Sequence, residues 1–198
     1  MDLGNLKYWE EEELAKDSST SVDVLRGLAK GGNVIVRNHV AENPSTPLDI
    51  LRELAKDDDK QVRWTVAENP STPIDALRAL AQDEDWEVRE YVAENPSTPE
   101  DALRALAKDK DVDVRREVAM NPSTPEDVLR ELSTSISTYI RLAVAENTNS
   151  SAKTLVNMFE YEKSLEYPSD EVIGALYNNS KVPYVAKKII ETLFGEML

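Results

Sequence analysis

Acidic residues cluster in this chain in a way that could chelate a cation. Asp109-Lys110-Asp111-Val112-Asp113 sets carboxylates at alternate positions, as the first ligands of a calcium loop would be. Such a loop needs glycine at its sixth position and a bidentate glutamate at its twelfth, and here those are Val114 and Met120. The match fails where chelation needs it. Asp57, Asp58 and Asp59, and Asp83 with Asp85, occupy corresponding segments and read as helix caps and solvated charge. His39 is the only histidine and there is no cysteine. That removes disulfides, thiolate zinc, cysteine-ligated iron-sulfur clusters, cysteine nucleophiles and sites built on two imidazoles. The expectation is a non-enzymatic chain with no metal and no cofactor.

Arginines raise a second possibility, anion binding. Arg37, Arg63, Arg89, Arg115 and Arg141 recur at a fixed interval of 26 residues. With Val62 at zero on a helical wheel, Val66 falls at about 40°, Ala67 at about 140°, and Arg63 at about 100° between them. The column therefore points inward. Its expected partners are carboxylates or turn carbonyls of adjacent repeats, with a free anion as the sharper alternative.

The interval belongs to the whole chain. Four stretches read VRNHVAENPSTP (36–47), VRWTVAENPSTP (62–73), VREYVAENPSTP (88–99) and VRREVAMNPSTP (114–125), and IRLAVAEN (140–147) is a decayed fifth. Asn43, Asn69, Asn95, Asn121 and Asn147 mark the 26-residue period. Thr20 to Lys30 aligns with Thr46 to Lys56 at the same offset. VIGALYNN (172–179) repeats the pattern at an offset of 32, which implies about six inserted residues near Ser164 to Asp170.

Each repeat spells two helices. Thr72 suits an N-cap, Pro73 the first helical turn, and Asp75 a reciprocal capping box, so a helix of about nine residues is expected from Pro73. A second, shorter helix is expected from Asp85, with Val88, Val92 and Ala93 on one face, ending at Asn95 because Pro96 follows. Neither helix can bury its apolar face alone, so neighbouring repeats must stack.

The pattern VRxxVAxNPSTPxDxLRxLAxD resembles the leucine-rich repeat variant family, related in architecture to HEAT and armadillo arrays, strongly over residues 18–163 and weakly beyond. The resemblance implies an all-α fold, a right-handed α-α superhelix (solenoid) in which α-helices alternate with shorter helices of 3-10 character. About five to six two-helix repeats with helical end caps are expected. The 26-residue period is slightly longer than the family's commonest form, and the cysteine-rich iron-sulfur segment of a founding member is missing. No cluster is carried over. Such arrays serve mainly as interaction surfaces, and fold does not settle function.

Stacking requires sameness and recognition requires difference, so the variable positions are the candidate binding face. The wheel sends the positions one before and two and three after the leading valine toward solvent. They include His39, Trp64, Tyr91, Arg116 and Tyr139, with Trp86 at the border, and aromatic and arginine side chains are enriched at binding hot spots. Packing of Trp64 and Trp86 on the next repeat is the competing explanation. A net charge of -15 repels phosphate backbones and anionic lipid and steers basic protein surfaces. The expected partner is therefore another protein, without nucleic acid or membrane.

Residues 1–17 read as an N-terminal helical cap, with Leu3, Leu6, Trp9 and Leu14 covering the first repeat. Residues 18–163 form the array, and 164–198 a degenerate last repeat and cap helix from Tyr184, whose Ile189, Ile190, Leu193, Phe194, Met197 and Leu198 close the core or meet a second copy. Met1-Asp2 opens no apolar leader, so a cytoplasmic monomer is expected. The reading is a protein-binding scaffold; the alternative is a structural spacer or self-assembly module without a dedicated groove.

Overall fold

A computed structural model describes residues 6–195. Leu3, Met197 and Leu198 lie outside the described residues. Every regular element among those described is an α-helix. Between Val22 and Glu146, short helices of seven residues alternate with helices of nine, and both rows are α-helical. That departs from the expected 3-10 character, and it reverses the expected lengths: the helix after the NPSTP turn is the shorter one. Its Pro-Asp start and the turn that ends it leave room for only two turns, whereas the VRxxVA helix runs on to the proline.

The chain forms two compact units, residues 1–102 and 103–198. In the N-terminal unit α1 (Tyr8–Lys16), α3 (Val34–Glu42), α5 (Lys60–Glu68) and α7 (Trp86–Glu94) form the long row, each against the next. The short row is α2 (Val22–Leu28), α4 (Leu48–Leu54) and α6 (Ile74–Leu80). Helix α8 (Glu100–Leu106) spans the boundary residues 102 and 103. In the C-terminal unit α9 (Val112–Met120), α11 (Thr138–Glu146) and α13 (Asp170–Asn178) pack in a long row, beside α10 (Glu126–Leu132), α12 (Ala152–Ser164) and α14 (Tyr184–Phe194). Each unit is a segment of all-α helical repeat solenoid. No helix among the described residues is long and apolar enough to cross a membrane.

One core runs along each unit. Val62, Val66 and Ala67 of α5 and Leu51 and Leu54 of the adjoining α4 lie at zero or near-zero exposure, and the same positions are buried in each repeat. Helices this short are marginal alone, so burial of their apolar stripe, at about 1.5–3 kcal/mol per large side chain, holds them.

Side-chain hydrogen bonds fix the turns. Asn69 Nδ2 donates to the Ala41 carbonyl of the preceding repeat at 2.7 Å, and its Oδ1 accepts the Ser71 N–H at 2.9 Å. The same column continues through Asn95 to Ala67, Asn147 to Ala119, and Asn179 to Ala145. Asp17 stands in the first place of this column; its carboxylate accepts from Ser19 and has no amide to donate.

The expected capping box does not form. Thr72 Oγ1 donates backward to the Val66 carbonyl, and Pro73 itself takes the N-cap position with no side-chain bond. Asp75 instead accepts from Arg52 Nε of the preceding repeat at 2.8 Å, in a surface ladder with Arg26–Asp49 and Arg78–Asp101. The Thr72 N–H is already given to the Asn69 carbonyl at 3.0 Å, and the carboxylate takes the charged partner of the preceding repeat. Caps do form on the long row, where Asp59, Asp85 and Asp111 each accept the N–H two residues on, and on α12, where Ser151 Oγ accepts the Thr154 N–H at 3.1 Å.

The insertion also sits elsewhere than expected. Helix α12 has thirteen residues where its counterparts have seven, while residues 165–169 match 55–59 in length. The added residues extend the helix, leaving the loop unchanged.

Candidate binding face

The arginine column is structural in both units. Arg37 grips Asp57 with Nε at 2.6 Å and Nη2 at 2.9 Å, and sends Nη1 to the Gly31 carbonyl at 2.9 Å. Arg63 repeats this one step on, with Asp83 at 2.7 and 3.1 Å and the Asp57 carbonyl at 2.8 Å. Each guanidinium thus ties one inter-helix turn to the next. Arg89 reaches the Asp83 and Glu84 carbonyls in the same way. The acidic turn residues that resemble a calcium loop are occupied by this work. Asp109 Oδ1 and Asp111 Oδ1 each accept a backbone N–H at 2.9 Å.

Burial on Asp57 opposes its ionisation, but the Arg37 fork and the Asp59 N–H outweigh it, and its carboxyl is held below the ordinary range. On Asp75 the Arg52 hydrogen bond leads the same downward shift.

The positions two and three after the leading valine are less exposed than the wheel implies. Adjacent long helices pack side by side, so these residues meet across repeats. Thr65 is buried and donates to Asn38 Oδ1 at 2.7 Å. Trp64 of α5 and Tyr91 of α7 meet as rings 5.8 Å apart at 45°, both half-buried. Lys60 Nζ lies 6.0 Å from the Trp64 ring centroid and pairs with Asp85 at 3.1 Å and with Glu87. Burial first, then the carboxylates of Glu68, Glu94, Glu90 and Glu87, push the Tyr91 phenol above its ordinary pKa. The aromatic pair sits in a negative field.

Trp86 opens α7 and is 39% exposed. His39 is half-buried on α3, with Nδ1 3.3 Å from Glu42 and Nε2 3.9 Å from Glu12. It lines a hollow with Lys16, Glu42, Asn43 and Pro44; a second hollow joins Glu42, Thr65, Glu68, Asn69 and Pro70. Both open at the C-terminal ends of long helices, where carbonyls and glutamates favour a cation. In the C-terminal unit Arg116 pairs with Asp113 at 3.0 Å and Glu117 at 2.8 Å, and Tyr139 is 69% exposed at the start of α11. Trp64 and Tyr91 are the sequence-named residues brought into direct ring contact.

The glutamate that ends each VAEN helix escaped notice as a site residue, although its recurrence at Glu42, Glu68 and Glu94 is visible in the sequence. Only side-by-side packing turns Glu42 and Glu68 into the rim of the hollows.

Residues 61–85 and 86–111 match the family model described as leucine rich repeat variant. Over these two repeats the chain is similar to leucine-rich repeat variant proteins. A solved structure described as a leucine-rich repeat variant with a novel repetitive protein structural motif is 28% identical, covering 81% of this chain and 72% of that one, with a TM-score of 0.36. A crystal structure of an engineered protein is 22% identical, covering 92% of this chain and 97% of that one, with a TM-score of 0.46. No curated protein matches the chain. In the 26-residue repeats, the consensus residues form the core, the asparagine column and the arginine column, and the remaining positions face the neighbouring long helix or solvent.

Proposed function

We propose that the chain is a non-enzymatic protein-binding scaffold whose recognition face is the long-helix row of the N-terminal unit. The observation that carries this is the Trp64–Tyr91 ring pair beside Lys60, set among Glu68, Glu87, Glu90 and Glu94. A rigid aromatic platform with a negative surround suits a lysine or arginine side chain through cation–π attraction and carboxylate pairing. Trp86 and His39 extend the face along the same row, and Arg116 and Tyr139 are its candidates in the C-terminal unit. The net charge of -15 speeds the approach of a basic partner and makes binding salt-dependent.

The test is selection of a displayed peptide library against the folded chain. Lysine- or arginine-rich binders are expected, and their affinity is expected to fall at least about tenfold in the Trp64→Ala, Trp86→Ala, Tyr91→Ala triple variant, as loss of hot-spot residues produces. Binders indifferent to all three changes would remove this face from the reading.

Self-assembly is a second reading, supported by α14. Its Tyr184 and Val185 are 73% and 70% exposed, beside half-exposed Ile189 and Leu193. Mass by light scattering across protein concentration separates the readings: growth of a dimer that Val185→Glu abolishes supports assembly, and constant monomer mass rejects it.

A further inference from the structure

The arginine column has one incomplete rung. Arg37 and Arg63 each place Nε and Nη2 on a carboxylate twenty residues on, Asp57 and Asp83. Arg141 finds its carboxylate in Glu162. Arg115 donates Nη1 to the Asp109 carbonyl and to the Asp111 carbonyl at 3.0 Å, yet its Nε and Nη2 meet no acceptor among the described residues. The residue twenty on is Ser135.

Ser135 keeps half of the aspartate's task. Asp57 and Asp83 each accept the N–H two residues on at 2.9 Å, and Ser135 Oγ accepts the Ser137 N–H at 3.3 Å. The serine brings no carboxylate to the half-buried Arg115 fork. The turn is also changed as a whole: Ser133-Thr134-Ser135-Ile136-Ser137 replaces Ala107-Lys108-Asp109-Lys110-Asp111 of the preceding repeat. It is accessible, with Thr134 exposed and Ile136 94% exposed.

We propose that Ser135 is a phosphorylation site and that its phosphate closes the Arg115 rung. A kinase transfers the terminal phosphoryl group of a nucleoside triphosphate to Ser135 Oγ; the Oγ–H bond gives way to Oγ–P, the nucleoside diphosphate leaves, and the hydroxyl proton passes to solvent. The phosphate then lies where Asp57 and Asp83 carry their carboxylates, and an arginine fork binds phosphate oxygens in the same two-pronged way. The modification would stiffen one turn of the C-terminal unit and leave its fold unchanged. This inference is independent of the proposed binding face.

The experiment uses the full chain with phosphoserine encoded at position 135. Its thermal midpoint is expected to rise by about 2–4 °C over the unmodified chain, the shift that one added charge-assisted contact gives a chain of this size. The phosphorus resonance is expected to report a phosphate pKa below the ordinary value of about 6. Both effects should vanish in Arg115→Gln, while Ser135→Asp should reproduce the stabilisation. An unchanged or lowered midpoint, or a gain that survives Arg115→Gln, overturns the proposal. So does stabilisation of the unmodified chain by inorganic phosphate over chloride at equal ionic strength, lost in Arg115→Gln, because the fork would then serve free phosphate.

Discussion

Arg141 and Glu162 form a fully enclosed ion pair in which Nε donates to Oε1, and the second carboxylate oxygen of Glu162 takes the Ser169 N–H at 3.0 Å. Glu162 thereby performs both tasks of the turn aspartate Asp57 from a different element, the extended helix α12. Arg141 completes its contacts with the Ser135 and Ile136 carbonyls at 2.8 and 3.1 Å.

Removing one partner strands the other. Glu162→Ala is expected to destabilise the C-terminal unit by about 3–5 kcal/mol, the usual cost of breaking a buried pair. Arg141→Met with Glu162→Met should recover part of the loss, because no buried charge then remains unpaired. Urea midpoints of the three variants check this, and a Glu162→Ala cost below about 1 kcal/mol would contradict the enclosed pair.

The asparagine column needs its amide. Asn69→Asp keeps the acceptor for Ser71 and loses the donor to Ala41, turning a carboxylate against a buried carbonyl. A loss of about 3 kcal/mol is expected at neutral pH. The new carboxyl has its folded pKa raised above the unfolded one. The loss should therefore be full at neutral pH and shrink as pH falls through the folded value, when the protonated acid donates again. Chemical denaturation at several pH values reads this out.

Asp57 makes the opposite pH prediction. Its folded pKa lies below the ordinary carboxylate value, so its contribution is fully present above that value and is lost as pH falls through the folded one. Asp57→Asn should be less stable than the parent at neutral pH, and the gap should close below about pH 4. The exposed Arg52–Asp75 pair is screened by solvent, and Asp75→Asn should change stability by less than about 1 kcal/mol at any pH. Equal behaviour of the two variants would refute the distinction.

Trp64 and Tyr91 should be thermodynamically coupled. A double-mutant cycle to alanine is expected to give about 0.5–1.5 kcal/mol beyond the separate losses. Trp86→Ala, at an exposed position, should shift stability by no more than about 0.5 kcal/mol. Absence of coupling would mean that the rings do not rest on each other.

Much of the architecture is legible in the chain because a period of 26 residues repeats every local requirement. Val62, Val66 and Ala67 can only face a core, Asn69 before Pro70 can only end a helix, and Arg63 beside them must turn inward. The candidate site was less legible. A wheel treats one helix alone, so it sends Trp64, Thr65 and Tyr91 toward solvent, whereas side-by-side packing buries Thr65 and half-buries both rings.

Sequence alone determined the two-helix repeat, the class of the fold, its acidity and the inward arginines, because those follow from spacing and charge along the chain. Tertiary structure decided the partners. Asp75 bonds Arg52 instead of forming a capping box with Thr72, Thr72 reaches back to Val66, Glu162 replaces a turn aspartate for Arg141, and Arg115 has no carboxylate of the described residues in its fork. Each choice is a competition between a local donor and one supplied by a neighbouring repeat. Its outcome depends on distances that exist only after the repeats have stacked.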